Sequence, residues 1–163
     1  MLSHNKNLLT YLFKAIEHRM IAGGSVAYYI GGMKEKDLKI SETKQVILAT
    51  YSMAAEALDI KTLTTLFLLT PKTDVQQAVG RILRVKHSKP LVVDFIDVHS
   101  IFQNQWKKRK VFYNKQNYNI KYTNSDIYNS KDNSVFNENT WKNMPKHGDK
   151  QKKKDVKCEI ILE

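Results

Sequence analysis

The sequence predicts an α/β domain with a mostly parallel sheet. Short apolar runs rich in strand-forming residues alternate with polar or amphipathic stretches of helical length. Hydrophobicity within the apolar runs is continuous rather than alternating, which indicates strands that are buried on both faces. A chain of 163 residues is long enough for one such core.

The first part of the chain predicts a helix, a strand and a second helix. Apolar residues lie on one helix face over residues 7–20, and Gly23 and Gly24 are expected to end that helix because glycine accepts the left-handed cap conformation. Residues 26–30 predict a buried strand, and residues 33–43 predict a polar helix.

The second part repeats this alternation three times. Asp74 is a suitable N-cap for one of its helices, because its carboxylate can accept from free amides of the first turn. The predicted elements are strands over residues 46–50, 63–69 and 91–96, and helices over residues 52–58, 74–85 and 98–110.

The end of the chain has a different composition. Residues 123–163 are rich in Asn, Lys, Ser and Asp and poor in apolar side chains, so burial cannot offset the entropy of ordering them. We therefore predict a folded domain over residues 1–122 and a disordered basic tail over residues 123–163.

The charge of the chain favours a polyanionic partner, with nucleic acid first. The net charge is +11 and the pI is about 9.6. Residues 104–163 carry a surplus of seven positive charges and residues 1–103 a surplus of four, which fits either a solvated tail or a binding module. Cys158 is the single cysteine and no apolar run is long enough to span a membrane, so we expect an intracellular, soluble protein. The scattered histidines predict no metal site.

The segment from Gln77 to Arg84 carries the strongest chemical signal. Arg81 and Arg84 are three residues apart, on one side of a helix that we expect to open after a strand. A guanidinium group can bind phosphate oxygens through two hydrogen bonds, and Gly80 leaves the backbone bare for another surface. The alternative is an amphipathic helix with solvated arginines.

A second signal is the segment from residue 49 to residue 60, at the carboxyl end of a predicted strand, where α/β sheets place their ligands. Thr50 offers a hydroxyl and a nearby amide to a phosphate, and Asp59 can accept a hydrogen bond from a ribose hydroxyl. The alternative for Asp59 is a helix cap.

Together these segments resemble motifs V and VI of superfamily 2 helicases. The order is that of the family, and Leu2-Ser3-His4 resembles the end of motif IV. The resemblance covers roughly residues 1–118 and is closest to helicases of large DNA viruses and phages. It implies the C-terminal RecA-like lobe of an ATP-dependent helicase or translocase.

The resemblance implies a role for each motif residue. Arg81 and Arg84 would reach the γ-phosphate of ATP, with Arg84 as the main arginine finger, and Gln77 would help to align the nucleotide. Asp59 would contact the ribose and Thr50 the nucleic-acid backbone. We expect the guanidinium groups to project from the same end of the sheet as Thr50 and Asp59.

The sequence departs from the family in two ways. Ala57 stands where the family usually has glycine, and no phosphate-binding loop or Asp-Glu motif is present. ATP and Mg²⁺ would therefore be held mainly by a missing N-terminal lobe, and the chain alone is expected to be inactive. The alternative function is a non-catalytic basic remnant that binds nucleic acid, and we expect DNA before RNA.

The last predicted helix ends in a basic run. Lys107, Lys108 and Arg109 are candidate contacts to backbone phosphates, or they stay solvated while Trp106 and other aromatics pack onto the domain. Asp94 and Asp97 flank the end of a predicted strand, where we expect an N-cap for the following helix rather than an acid pair.

Overall fold

A computed structural model gives the architecture. It describes residues 1–56, 60–82, 85, 87–123, 141–144 and 159–162. Within them the helices are α1 (Lys6–His18), α2 (Glu35–Glu42), α3 (Tyr51–Glu56), α4 (Gln76–Ile82) and α5 (Ser100–Lys115). The strands are β1 (Leu2–Ser3), β2 (Val26–Tyr29), β3 (Val46–Thr50), β4 (Thr65–Leu68), β5 (Leu91–Asp94), β6 (Asn119–Tyr122), β7 (Lys142–Asn143) and β8 (Glu159–Leu162).

These strands form one sheet in the order β2-β3-β1-β4-β5-β8-β6-β7. Every neighbouring pair is parallel except β6 and β7. The parallel sheet and its flanking helices confirm the predicted α/β fold. The segment that we predicted to be disordered contributes the two short strands β7 and β8, which the sequence did not indicate.

Both faces of the sheet are covered, as continuous hydrophobicity predicted. Along β3, Leu48 packs with Leu9 and Ile16 of α1, whereas Ile47 and Ala49 belong to the core on the opposite face. That second core also contains buried side chains of α3, α4 and α5. Successive strand residues point to opposite faces, so a strand between two helical layers must be apolar throughout.

Helix α1 ends earlier than the glycines suggested. Arg19 caps it, and Met20 takes the left-handed conformation with φ of 50°. Ala22 also has a positive φ of 52°, so the chain turns towards β2 before it reaches Gly23 and Gly24.

The strand order predicts a crevice at the carboxyl edge of the sheet. From β1 the chain crosses through α1 to β2 on one side, and from β4 it crosses through α4 to β5 on the other side. The crossovers that follow these neighbouring strands therefore run to opposite sides of the sheet. Such a switch point is where open α/β sheets bind ligands.

Candidate functional site

Thr50 lies where the sequence placed it, at the carboxyl end of β3. Its side chain is half-buried, and its hydroxyl is 3.3 Å from the hydroxyl of Ser52. Ser3, at the end of β1, pairs in register with Thr50. Thr50 therefore borders the crevice at the switch point, with a hydroxyl that can turn towards a bound group.

The buried Tyr51 side chain connects the segments that follow β1, β3 and β4 at this edge of the sheet. Its hydroxyl donates to the carbonyl of Thr70 at 2.7 Å, which ties the start of α3 to the end of β4. The imidazole of His4 lies 4.5 Å from the Tyr51 ring centroid, and the ammonium of Lys72 lies 4.9 Å from it. The crevice thus combines two basic side chains with one aromatic ring.

Electrostatics in the crevice favour neutral His4 and protonated Tyr51. Partial burial, together with the positive charge of Lys72, lowers the pKa of His4 below its usual range. Burial raises the pKa of the Tyr51 hydroxyl, and the negative charge of Asp94 adds to that rise. Tyr51 therefore remains a hydrogen-bond donor to the carbonyl of Thr70.

Arg81 does not share the edge of Thr50, so this part of the prediction is wrong. It lies in the last turn of α4, and its half-buried guanidinium donates a hydrogen bond to the carbonyl of Ala55. It lines a cavity together with Gln45 and Thr65, which lie at the amino ends of β3 and β4.

The physical reason is the direction of α4. In a β-α-β crossover the helix runs antiparallel to its strands, and α4 rises roughly 1.5 Å per residue towards their amino ends. A residue late in α4 therefore lies far from the carboxyl edge where the helix began. The sequence places Arg81 within a predicted helix over residues 74–85 but does not give its position along the strands.

The remaining residues of this segment differ in exposure. Gln77 and Gly80 are exposed, and Val79 between them is fully buried against the sheet. Asp74 accepts a hydrogen bond from the amide of Gln76 at 3.0 Å, consistent with its predicted capping role. Asp59 and Arg84 lie outside the described residues.

Gly80 offers a direct test of whether another surface approaches α4. A Cβ built at this helical position meets no atom within 4 Å, so replacement by alanine is sterically free within the chain. We expect Gly80→Ala to raise the free energy of unfolding by about 0.5–1 kcal/mol, because alanine loses less backbone entropy in a helix. Urea unfolding measures this change, and a loss of stability would show that a neighbouring group does occupy the space.

Arg109 is not available to nucleic acid, which corrects the second site prediction. Its side chain is 1% exposed and binds Asp94 through two hydrogen bonds of 2.7 and 2.9 Å. A third bond runs to the carbonyl of Lys72 at 2.6 Å. Arginine at this position faces the core because it shares the inner face of α5 with the buried Trp106 and Tyr113.

Asp94 lies in an environment that the sequence did not predict. It does not cap α5; it lies in the core and accepts from Arg109 and from the hydroxyl of Tyr113 at 3.0 Å. Burial raises the pKa of its carboxyl, and the bonds from Arg109 and Tyr113 oppose that rise. Asp97 accepts from the amide of His99 at 3.2 Å, and His99 is the N-cap residue of α5, without a side-chain capping bond.

Lys107 and Lys108 are exposed on the outer side of α5, as nucleic-acid contacts require. The ammonium of Lys107 is 3.2 Å from the side-chain oxygen of Asn104, and Lys108 borders a cleft beside Asp74 at the start of α4. Trp106 and Tyr113 of α5 are buried and Phe112 packs against the same core, which confirms the prediction that Trp106 belongs to the core.

A comparison with curated proteins relates the chain to a viral helicase. The chain is 44% identical over 122 residues to a protein of Acanthamoeba polyphaga mimivirus named "Putative ATP-dependent RNA helicase". The match covers 73% of this chain and 24% of the viral protein, so the chain spans about a quarter of its relative. No family model and no solved structure matches the chain.

One further finding concerns membranes. In the part of the chain that the structure describes, no helix has both the length and the apolar character needed to cross a bilayer.

Proposed function

We propose that the chain is the C-terminal RecA-like lobe of a superfamily 2 helicase or translocase, and that it works with an N-terminal lobe that holds ATP and Mg²⁺. The observation that carries this proposal is the 44% identity over 122 residues to a viral protein named as an ATP-dependent RNA helicase. Motif order, a parallel sheet and a basic surface agree with it.

In this proposal the work of the lobe is divided between two edges of the sheet. Thr50 borders the carboxyl-edge crevice, which would receive the nucleic-acid backbone, with Lys107 and Lys108 as further cations. Arg81 lies towards the amino edge beside Ala55, where a nucleotide held by the other lobe would approach. In this proposal α3 connects the two sites, because it starts after Thr50 and ends near Arg81.

Gln77, Gly80, Asp59 and Arg84 complete the nucleotide side of the proposal. Arg84 is the main arginine finger, Arg81 assists it, and Gln77 couples the nucleotide to closure of the lobes. Gly80 is exposed on α4 with open space around it, so the opposing lobe can approach its backbone. Asp59 contacts the ribose.

For the nucleic acid we favour RNA over the DNA that the sequence suggested. The name of the mimivirus relative specifies RNA, and the geometry of this chain supplies no argument for DNA. Competition between single-stranded RNA and DNA of one sequence, each labelled in turn, decides between them.

We expect the purified chain to bind single-stranded nucleic acid but to hydrolyse no ATP. Thr50, Lys107 and Lys108 provide backbone contacts, whereas the phosphate-binding loop and magnesium ligands of the family belong to the other lobe. Fluorescence anisotropy across a salt series measures binding, and phosphate release measures turnover. Each lost phosphate contact should lower the salt slope by about 0.7.

Lys107→Gln is the variant that tests this interface, and Lys14→Gln, on the exposed surface of α1, is its matched control. Clear ATP turnover by the wild-type chain would refute the need for a second lobe. Strong binding that stays independent of nucleotide after the second lobe is supplied would instead favour the non-catalytic binding remnant.

A further inference from the structure

The buried pair of Asp94 and Arg109 requires an explanation beyond stability. Both side chains are 1% exposed, and removing two charges from water is costly even when they bind each other well. Replacing such a pair by apolar side chains of similar size is often neutral or stabilising. Stability of the pair does not by itself explain the third hydrogen bond of Arg109, which runs to the carbonyl of Lys72.

That third bond fixes the loop after β4. The guanidinium donates to the carbonyl of Lys72 at 2.6 Å through Nη1, while Asp94 accepts from Nε and Nη2 and also from the hydroxyl of Tyr113. Strand β5 and helix α5 thus clamp the main chain of Lys72 in one place. A planar guanidinium suits this role, because its donors have fixed directions.

The side chain of Lys72 leaves this anchored point towards the crevice. Its ammonium lies 4.9 Å from the centroid of the Tyr51 ring, which directly follows Thr50 in sequence. The amide of His4 donates to the hydroxyl of Thr70 at 2.9 Å, so the loops after β1 and β4 meet here as well. Among the described residues no carboxylate forms a salt bridge with Lys72.

We propose that Lys72 binds a backbone phosphate of the nucleic acid beside Thr50, and that Arg109 and Asp94 are positioning residues for this contact. An ammonium held against an aromatic ring, at the crevice of a parallel sheet, is a fixed point charge for a phosphodiester. The identity of the ligand rests on the proposed function, whereas the anchoring of Lys72 rests on the geometry alone.

Lys72→Gln tests the phosphate contact, because glutamine keeps much of the length and removes the charge. With single-stranded RNA we expect a several-fold loss of affinity at low salt and a salt slope smaller by about 0.7, the value for one phosphate contact on a single strand. Lys14→Gln removes the same charge from the outer surface of α1 and should leave both quantities unchanged.

The double variant Asp94→Leu with Arg109→Met tests the positioning role. It replaces the ion pair by apolar side chains and releases the carbonyl of Lys72, so we expect a folded protein with the weakened binding of Lys72→Gln. Adding Lys72→Gln to this background should cause little further loss, because both changes remove the same contact. If the double variant fails to fold, Tyr113→Phe keeps the ring, removes one bond to Asp94 and should give a smaller loss in the same direction.

The outcomes separate this inference from the function beneath it. Salt-dependent RNA binding by the wild type, with the affinity and slope of Lys72→Gln unchanged, overturns the Lys72 contact and leaves the helicase lobe standing. Full additivity of the Lys72 and double variants overturns the positioning role. A wild type that binds neither RNA nor DNA overturns the proposed function and this inference with it.

Discussion

Replacement of Arg84 by alanine is expected to lower ATP turnover by about 10³–10⁵-fold once the chain works with a complete second lobe. The physical reason is the negative charge that develops on the transferred γ-phosphoryl group, which a guanidinium stabilises through paired hydrogen bonds. A suitable enzyme is a chimera in which this chain replaces the matching segment of the mimivirus protein. Phosphate release at saturating ATP and RNA measures the rate.

Two companion variants sharpen this experiment. Arg81→Ala should have a smaller effect than Arg84→Ala, because the Arg81 guanidinium already donates to the carbonyl of Ala55 and must share that bond to reach a nucleotide. Arg19→Ala removes an exposed guanidinium beyond α1 and should leave the rate unchanged. Full activity of Arg84→Ala in an active chimera would remove the arginine-finger assignment.

The sheet could be predicted from the sequence because its strands are buried on both sides. The strand predicted over residues 46–50 is β3 with the same bounds. A short, continuously apolar run is typical of a strand that is buried between two helical layers. Strand β6 (Asn119–Tyr122) was missed, because its polar and charged residues hide the buried Ile120. Local composition does not reveal a strand that depends on distant neighbours.

The positions of the candidate residues along the sheet were harder to predict than the helices and strands that carry them. Motif order placed Thr50 at the end of a strand, which holds. The position of Arg81 depends on how far α4 runs back along β4, and sequence periodicity gives no such distance. A pattern can therefore assign a residue to a helix without locating it along the neighbouring strands.

Helix periodicity indicates which cation of the basic run on α5 is buried. The four consecutive cations are Lys107, Lys108, Arg109 and Lys110. Four residues span a full helical turn, so they cannot all face solvent when the helix packs on a sheet. Trp106, Arg109 and Tyr113 follow the spacing of three and four residues that defines one helix face, and all three are buried. Asp94 at the end of the apolar strand β5 also indicates a buried ion pair, because a buried carboxylate needs a cationic partner.

Arg109→Ala is expected to destabilise the chain by about 3–5 kcal/mol, the largest effect of any single change proposed for stability. Among the described residues, the variant leaves the buried Asp94 carboxylate with Tyr113 as its side-chain donor, and the carbonyl of Lys72 loses its bond from Arg109. A domain is stable by about 5–15 kcal/mol in total, so we expect the variant to unfold at a much lower urea concentration. Circular dichroism across a urea series measures the shift.

Lys108→Ala is the matched control, because it removes a neighbouring cation from the exposed side of the same helix. Surface substitutions of this kind change stability by less than about 0.5 kcal/mol. Equal effects of the two variants would mean that Arg109 reaches solvent and that Asp94 has no buried charge to balance. A large loss confined to Arg109 would show that one cation of the basic run belongs to the core, and that only its neighbours remain to meet nucleic acid.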